Sequence, residues 1–419
     1  TTNDTSENVV AEVTSGYQEF GLSSKAAGTE SGLSRISPEV VFETGNTTYT
    51  AIAWLNSSYF VVAFRDVDDT NKGKAVIGVI AADGTISFGV ASEFEAGSTI
   101  DISVVGLDAT RFAIAYVDAG DSNNGKAIIG ETDGSTAVDN FGAINVFNAA
   151  GTSGTSVARL DATHFVIAYS DTGNSSHGTA IVGLTDGDVT ISSYGVENVF
   201  NAATTSYVSV GVLDSSHFVV AYNDGGNSNH GTGIVGLTDG AVTISSYGSE
   251  NLFNSAITSV ISLATLDPTR FVVAYKDEGA SDQGTAIIGL TDGATAISSY
   301  GSESIFNAVA TKYISVARTE NNKFIVVYQD DGGSDYGAFR IGSTSGTVIS
   351  GYDTEYEFNA AITSEIVVTA LDGIHYIVGF KDEGNSNQGT VMTLAPKFYI
   401  NVDLDGAGAS EDGIQLTAG

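Results

Sequence analysis

A segment of the form Phe-Val-Val-Ala-Tyr-x-Asp recurs along the chain and constrains the fold more than any other feature. Its aspartates are Asp66, Asp118, Asp171, Asp224, Asp277, Asp330 and Asp382, separated by 52, 53, 53, 53, 53 and 52 residues. Seven residues after each comes a glycine: Gly73, Gly125, Gly178, Gly231, Gly284, Gly337 and Gly389. A fixed period of this size marks a repeat architecture whose units cannot bury their apolar faces alone. Within the unit Ser209–Phe253 four runs follow one another: SVGVL, HFVVAY, GTGIVGLT and AVTISSYGSENLF. They are rich in β-branched and aromatic residues and are separated by Gly, Asn, Asp and Ser. No stretch keeps a 3.6-residue apolar period, so the reading is all-β with essentially no helix. Four short strands per unit predict a seven-bladed β-propeller of four-stranded blades. Blades buried on both faces explain apolar runs without alternation, such as Phe218–Tyr222.

The first and last copies are out of phase, and that predicts how the ring closes. The last unit supplies Ile366–Leu371, His375–Phe380 and Gly389–Leu394 and then meets Pro396. Its missing outer strand has an equivalent near the other terminus, PEVVFE at 38–43, which matches ENVFNA at 197–202. The N-terminal strand 39–43 is therefore expected to complete the seventh blade. Pro38 and Pro396 bracket the ring where an absent N–H costs no ladder bond, and Pro268 falls in a loop. The organisation expected is an N-terminal extension at 1–35, a propeller at 36–395 and a C-terminal extension at 396–419. The extensions are expected to dock on the ring or on a neighbouring subunit.

Charge and composition narrow the partners. The chain of 419 residues has 50 acidic against 16 basic residues, a net charge of −34. Nucleic acid needs the opposite sign, and anionic membrane surfaces are disfavoured for the same reason. No apolar run approaches the roughly 20 residues of a membrane-spanning helix. Without cysteine there is no disulfide framework, thiolate metal site or cysteine nucleophile. A start at Thr1 and the sequons at Asn3, Asn46, Asn56 and Asn174 point toward an exported, extracellular or cell-surface protein.

The loop after each Phe-Val-Val-Ala-Tyr strand reads Asp-x-Gly-x-Ser-x-x-Gly in its commonest form, as at Asp171–Gly178 and Asp224–Gly231. Two readings are open. Side-chain oxygens at alternate positions can ligate calcium, which makes Asp66, Asp68, Asp118, Asp121, Asp171, Asp224, Asp277, Asp282, Asp330, Asp335 and Asp382 candidate ligands. Alternatively each repeat aspartate accepts backbone N–H bonds inside its own hairpin loop and holds no metal. The loops resemble the Asp-box hairpins of other propellers, a resemblance that implies the second, structural role. Asp403–Gly413 begins like a calcium loop but carries Ile414 where a bidentate Glu belongs, so a solvated turn is expected there.

The histidines sit at tolerant repeat positions. His164, His217 and His375 share one with Tyr59, Arg111, Arg270 and Lys323; His177 and His230 share another with Lys72, Asn124, Gln283, Tyr336 and Gln388. No catalytic role is expected of them. Arg35-Ile-Ser-Pro38 faintly resembles the Arg-Ile-Pro entry of sialidases, a resemblance that implies glycoside hydrolysis through an arginine triad, a Tyr/Glu pair and an acid carboxylate. Those enzymes have six blades. Among the arginines, Arg159 and Arg318 share one repeat position, too few for a triad there. The only tryptophan, Trp54, falls in the first unit.

The long repeat seen in Leu160–Gly183 and Leu213–Gly236 resembles propeller arrays of marine and environmental microbes and their viruses, over about 36–395. That resemblance implies an extracellular or virion-surface location and no particular activity. Near-identical units suit repeated weak contacts better than one asymmetric active site. The expected function is a non-enzymatic structural subunit of a surface or filament, self-associating through its extensions. A lectin-like, adhesive propeller is the alternative, and a glycosidase is less favoured.

Overall fold

The computed structural model describes residues 37–396 except 82–83, 320–321 and 372–374, together with short strands at Val10–Val13, Gly16–Glu19, Leu33–Arg35, Tyr399–Asn401 and Gly413–Gln415. Most of the expected extensions at 1–35 and 396–419, and the acidic turn at 403–413, lie outside the described residues.

The described chain is all-β, with four single 3₁₀ turns and no α-helix among the described residues. All ladders are antiparallel, and apart from two separate two-stranded pairs, Val10–Val13 with Gly16–Glu19 and Tyr399–Asn401 with Gly413–Gln415, they close into one ring. One pairing pattern recurs around it. In the unit containing Asp224, the second half of Asn198–Val212 pairs with His217–Asp224, which pairs with His230–Thr238. His230–Thr238 then pairs near its end with Ile244–Tyr247 and near its start with the first half of Asn251–Asp267. The run expected as one outer strand is thus broken at Gly248-Ser249-Glu250. Its second piece does not stop. It continues through Val260 into the innermost strand of the next unit, where it pairs with Arg270–Asp277.

Each long strand makes this passage at one left-handed residue: Tyr49, Asp101, Gly154, Tyr207, Val260, Tyr313 or Glu365, with φ between 48° and 61°. Six of the seven are not glycine, and αL backbone is unfavourable for bulky residues, most of all for β-branched Val260. The kink lets one strand be the outer edge of one sheet and the inner edge of the next.

The ring closes through the N-terminal strand, as its phase predicts. Val40–Asn56 pairs with Gln388–Pro396 in the register Gly389↔Glu43, Thr390↔Val41 and Val391↔Val40, and then with Tyr59–Asp66. The closing contribution is longer than 39–43, because Leu33–Arg35 also pairs with Leu394–Pro396.

The core lies between successive sheets. One apolar cluster joins Val166, Ala168 and Val182 to Phe218, Val220 and Tyr222 of the next unit, and the same arrangement recurs around the ring. The middle strands are wholly enclosed, with Phe218–Tyr222 at 0% exposure; burying each such large side chain stabilises by about 1.5–3 kcal/mol. The glycine found in every copy follows from this packing. A Cβ at Gly231 would stand 2.3 Å from the Phe253 ring of the outer strand, and one at Gly178 would meet Phe200 at the same distance. The invariant glycine makes room for an aromatic ring.

Candidate functional site

The repeat aspartates stand one per unit, on the loops between the second and third strands. Asp224 Oδ1 accepts the N–H of Gly226 at 2.9 Å, Asp277 that of Gly279 at 3.0 Å and Asp330 that of Gly332 at 2.8 Å. Asp118 accepts from Gly120, Asp171 from Asn174, and Asp66 from both Asp68 and Asp69. Asp382 makes no such cap bond. Neighbouring cations take other oxygens: Lys74 contacts Asp66 at 2.7 Å and Asp69 at 2.8 Å, and Lys126 contacts Asp118 and Asp121. Lys276 contacts Asp282 at 3.3 Å. Asp68 instead accepts from the N–H of Asn46. Asp335 shares a hydrogen bond with Asp331 that, followed by burial and the Asp331 charge, pushes the Asp335 carboxyl up, while the same bond and Lys312 hold Asp331 down. The eleven candidate ligands are thus spread one or two to a unit, and six of the seven repeat aspartates, all but Asp382, act as turn caps. Among the described residues no group of three or more His, Asp or Glu side chains is placed to hold a metal.

The second halves of the long strands line the middle of the ring. They are joined from unit to unit by bonds such as Leu263 N–H to Ser209 Oγ at 3.0 Å and Val210 N–H to Ser156 Oγ at 3.1 Å. At their start stand the seven kink residues, where near-identical units diverge into Tyr49, Asp101, Gly154, Tyr207, Val260, Tyr313 and Glu365. Glu365 Oε2 accepts the Tyr49 N–H at 2.6 Å, and Asp101 Oδ2 accepts the Gly154 N–H at 2.7 Å. Burial pushes both carboxyls up, partly offset by those N–H bonds and by the charge of Arg65. Arg65 stacks on the Tyr49 ring at 4.7 Å and donates from Nε to Thr48. Burial and the Asp101 charge push the Tyr49 phenol up, Arg65 opposing. Tyr207 and Tyr313 are 49% and 37% exposed, and Ile257 and Ile362, each three residues before the kink of its own strand, are exposed as well. Strained backbone, exposed aromatic faces and perturbed carboxyls coincide at this mouth, the company functional sites keep.

Five residues further along each strand, about 16 Å at 3.3 Å per residue, the register positions are Trp54, Gly106, Arg159, Val212, Thr265, Arg318 and Ala370. A cavity of about 800 Å³ opens here, lined by Trp54, Thr265, Arg318, Thr319 and Thr369 among others. His164, His217 and His375 belong to hairpins on this face, whereas His177 and His230 pair with Asp171 and Asp224 at the opposite end of their strands. His164 and His217 each set Nδ1 2.9 Å from Asp161 or Asp214, the place that Arg111 and Arg270 take against Asp108 and Asp267. The sequence identified Arg159 and Arg318 as equivalent and placed Trp54 in the first unit; the closed ring brings their strands to one mouth. The kink residues carry no motif, and only their position in the period could have singled them out.

No family model and no curated protein matches the chain. Among solved structures the fold is similar to the BP39L lectin from Burkholderia pseudomallei, with a TM-score of 0.59 and 8% identity over 85% of this chain and 98% of that one. It is similar also to a protein of unknown function from Dyadobacter fermentans, with a TM-score of 0.50 and 11% identity over 88% and 100% of the two chains. An intramolecular trans-sialidase from Ruminococcus gnavus follows at a TM-score of 0.49 and 11% identity over 85% and 96%. At such identities the likeness is one of fold: a closed, all-antiparallel, propeller-like ring.

Proposed function

We propose that the ring is a seven-bladed β-propeller of an extracellular protein that binds glycans without hydrolysing them, through the mouth formed by the kink residues. The observation that carries this reading is the divergence of the kink position into Tyr49, Tyr207 and Tyr313 beside Asp101 and Glu365. A sugar ring offers an apolar C–H face and outward hydroxyls. Exposed tyrosines supply a flat apolar surface with a polar tip, and carboxylates accept hydroxyl protons strongly. Asp101 and Glu365 are each engaged with a neighbouring backbone N–H, which suits positioning better than proton transfer. The lectin among the fold neighbours supports the same reading. The filament alternative rests on segments 1–35 and 396–419, and nothing among the described residues favours it.

Calorimetric titration with a panel of neutral oligosaccharides tests the proposal, with reducing-end release followed in the same samples. Saturable binding without hydrolysis is expected, weakened at least tenfold in the Tyr207→Ala/Tyr313→Ala double variant. Binding untouched by that variant, or turnover of the glycan, would overturn it.

A further inference from the structure

At each kink two successive residues drop out of the strand register. Tyr49 and Thr50 have no paired residue on the neighbouring strand, and neither do Tyr207 and Val208, Val260 and Ile261, or Tyr313 and Ile314. Two kinks show where such N–H groups point. Tyr49 donates at 2.6 Å to the carboxylate of Glu365, the preceding kink residue around the ring, and the Thr50 N–H acts on the same carboxyl. Gly154 donates in the same way at 2.7 Å to Asp101, the kink residue before it. Successive N–H groups beside a left-handed residue form a concavity that takes an oxygen. The backbone repeats at Tyr207, Val260 and Tyr313, with φ of 51°, 50° and 48°. Their preceding kink residues are Gly154, Tyr207 and Val260, none with a carboxylate. Among the described residues no side chain accepts any of these three N–H groups. Charge decides which oxygen suits them. Burial first, and then the charges of Glu365 and Glu383, push the Tyr313 phenol up, with Lys312 opposing. That field, in a chain of net charge −34, repels an anionic oxygen and admits a neutral carbonyl.

We propose that the amides of Tyr207, Val260 and Tyr313 make this mouth selective for 2-acetamido sugars. The acetamido carbonyl accepts a kink N–H as the carboxylates of Asp101 and Glu365 do at theirs, and the acetamido methyl lies against Val260 and the tyrosine faces. A plain hexose offers hydroxyls alone, each bringing a proton that needs an acceptor of its own. The inference deepens the glycan reading above and rests on it.

The probe is tri-N-acetylchitotriose, compared by calorimetry with cellotriose, which has the same linkage and no acetamido group. Binding of the first is expected to be tighter by about tenfold or more. The protein's own caps supply the variants. A Cβ at Gly154 meets nothing within 4 Å, and Asp and Asn tolerate its left-handed backbone. Gly154→Asp repeats the Asp101 arrangement one unit further on and sets a carboxylate on the Tyr207 N–H. Val260→Asp does the same for Tyr313, and Gly154→Asn caps Tyr207 without charge. All three are expected to weaken tri-N-acetylchitotriose by about tenfold. Gly187→Asp adds the same charge at a left-handed glycine with open space on a hairpin outside the mouth, and is expected to bind normally. Circular dichroism and the urea midpoint establish that each variant is folded. In the unaltered protein the amide resonances of Tyr207, Val260 and Tyr313 are expected to move downfield on titration, a readout that needs no variant. Equal affinity for cellotriose, capped variants that bind normally, or unmoved amide resonances overturn the acetamido assignment and leave the glycan reading standing. Failure of every neutral oligosaccharide to bind overturns the glycan reading, and this inference with it.

Discussion

Glu365 accepts the backbone N–H of Tyr49 at 2.6 Å across the junction where the last unit meets the first. At five other junctions the innermost strands are tied by serines: Ser103, Ser156, Ser209, Ser262 and Ser315 each accept an N–H from the following strand at 3.0–3.1 Å. The equivalent residues on either side of the seam are Val367 and Ala51, which have no hydroxyl. Glu365 supplies the missing polar link.

Replacing Glu365 by alanine is therefore expected to lower the urea midpoint by the equivalent of about 1–3 kcal/mol, the cost of leaving a buried N–H without an acceptor. Glu365→Gln, which keeps an acceptor oxygen, is expected to lose less. Equal midpoints for wild type and alanine variant would show that the seam does not depend on this bond.

The same carboxyl sets a pH dependence. Burial raises Glu365 and Asp101 above their ordinary values, against the lowering effect of N–H bonds and Arg65. The folded state then holds protons that the unfolded state has released, so stability increases as pH falls from neutrality into the carboxylate range. Lower acid has the opposite effect. Although partial burial opposes it, backbone N–H bonds and basic partners hold Asp108, Asp161, Asp214 and Asp267 down. Their contribution is present above the unfolded carboxylate range and is lost as pH falls through the depressed values. Melting temperatures measured from pH 8 to pH 3 are expected to rise, pass a maximum and then fall. A monotonic fall from pH 8 downward would contradict this.

Alkali probes the blade interiors. Tyr169, Tyr222 and Tyr275 donate to Glu197, Glu250 and Glu303 at 2.8, 2.9 and 2.9 Å, and Tyr116 and Tyr328 donate to Glu95 and Glu355. Burial first, and then the carboxylate charge, push all five phenols far up. A raised phenol stabilises below the ordinary tyrosine value and loses that contribution as pH rises past it. Phenolate absorbance is expected to appear in two phases, the second coinciding with loss of β-sheet circular dichroism. Tyr222→Phe is expected to cost about 1 kcal/mol.

The loop aspartates separate the two readings of their chemistry. As turn caps they require no ion, so melting temperatures in excess calcium and in excess EDTA are expected to coincide. Asp224→Ala removes the cap on Gly226 and is expected to destabilise by about 0.5–2 kcal/mol. Asp382→Ala, where no cap bond exists, is expected to cost less. A melting temperature that drops with EDTA would restore the calcium reading.

Of the sequons among the described residues, Asn174 is exposed on its 3₁₀ turn. Asn56 is engaged through Oδ1 with the Ser58 and Tyr59 N–H groups and through Nδ2 with the Ala109 carbonyl. The Asn46 Oδ1 is buried. Expression in a glycosylating host is expected to modify Asn174 and leave Asn46 and Asn56 bare, as read by peptide mass spectrometry.

The sequence determined the repeat, the strands and the closure. A 53-residue period built from β-branched and aromatic runs admits little else, and the phase shift between the first and last copies dictates which strand completes the ring. It also identified the aspartate and glycine of every unit without their reasons. The glycine's reason is Phe253 or its equivalent on a strand some 20 residues away, so it exists only once that strand is paired. The mouths were the least legible. Tyr49, Tyr207 and Tyr313 look like ordinary strand residues, and Trp54 and Arg318 lie 264 positions apart. What brings them to opposite ends of one axis is the closing of the ring. A strand's sequence specifies its neighbours by alternation and turn, but which residues meet across the middle depends on the number and curvature of all the sheets together.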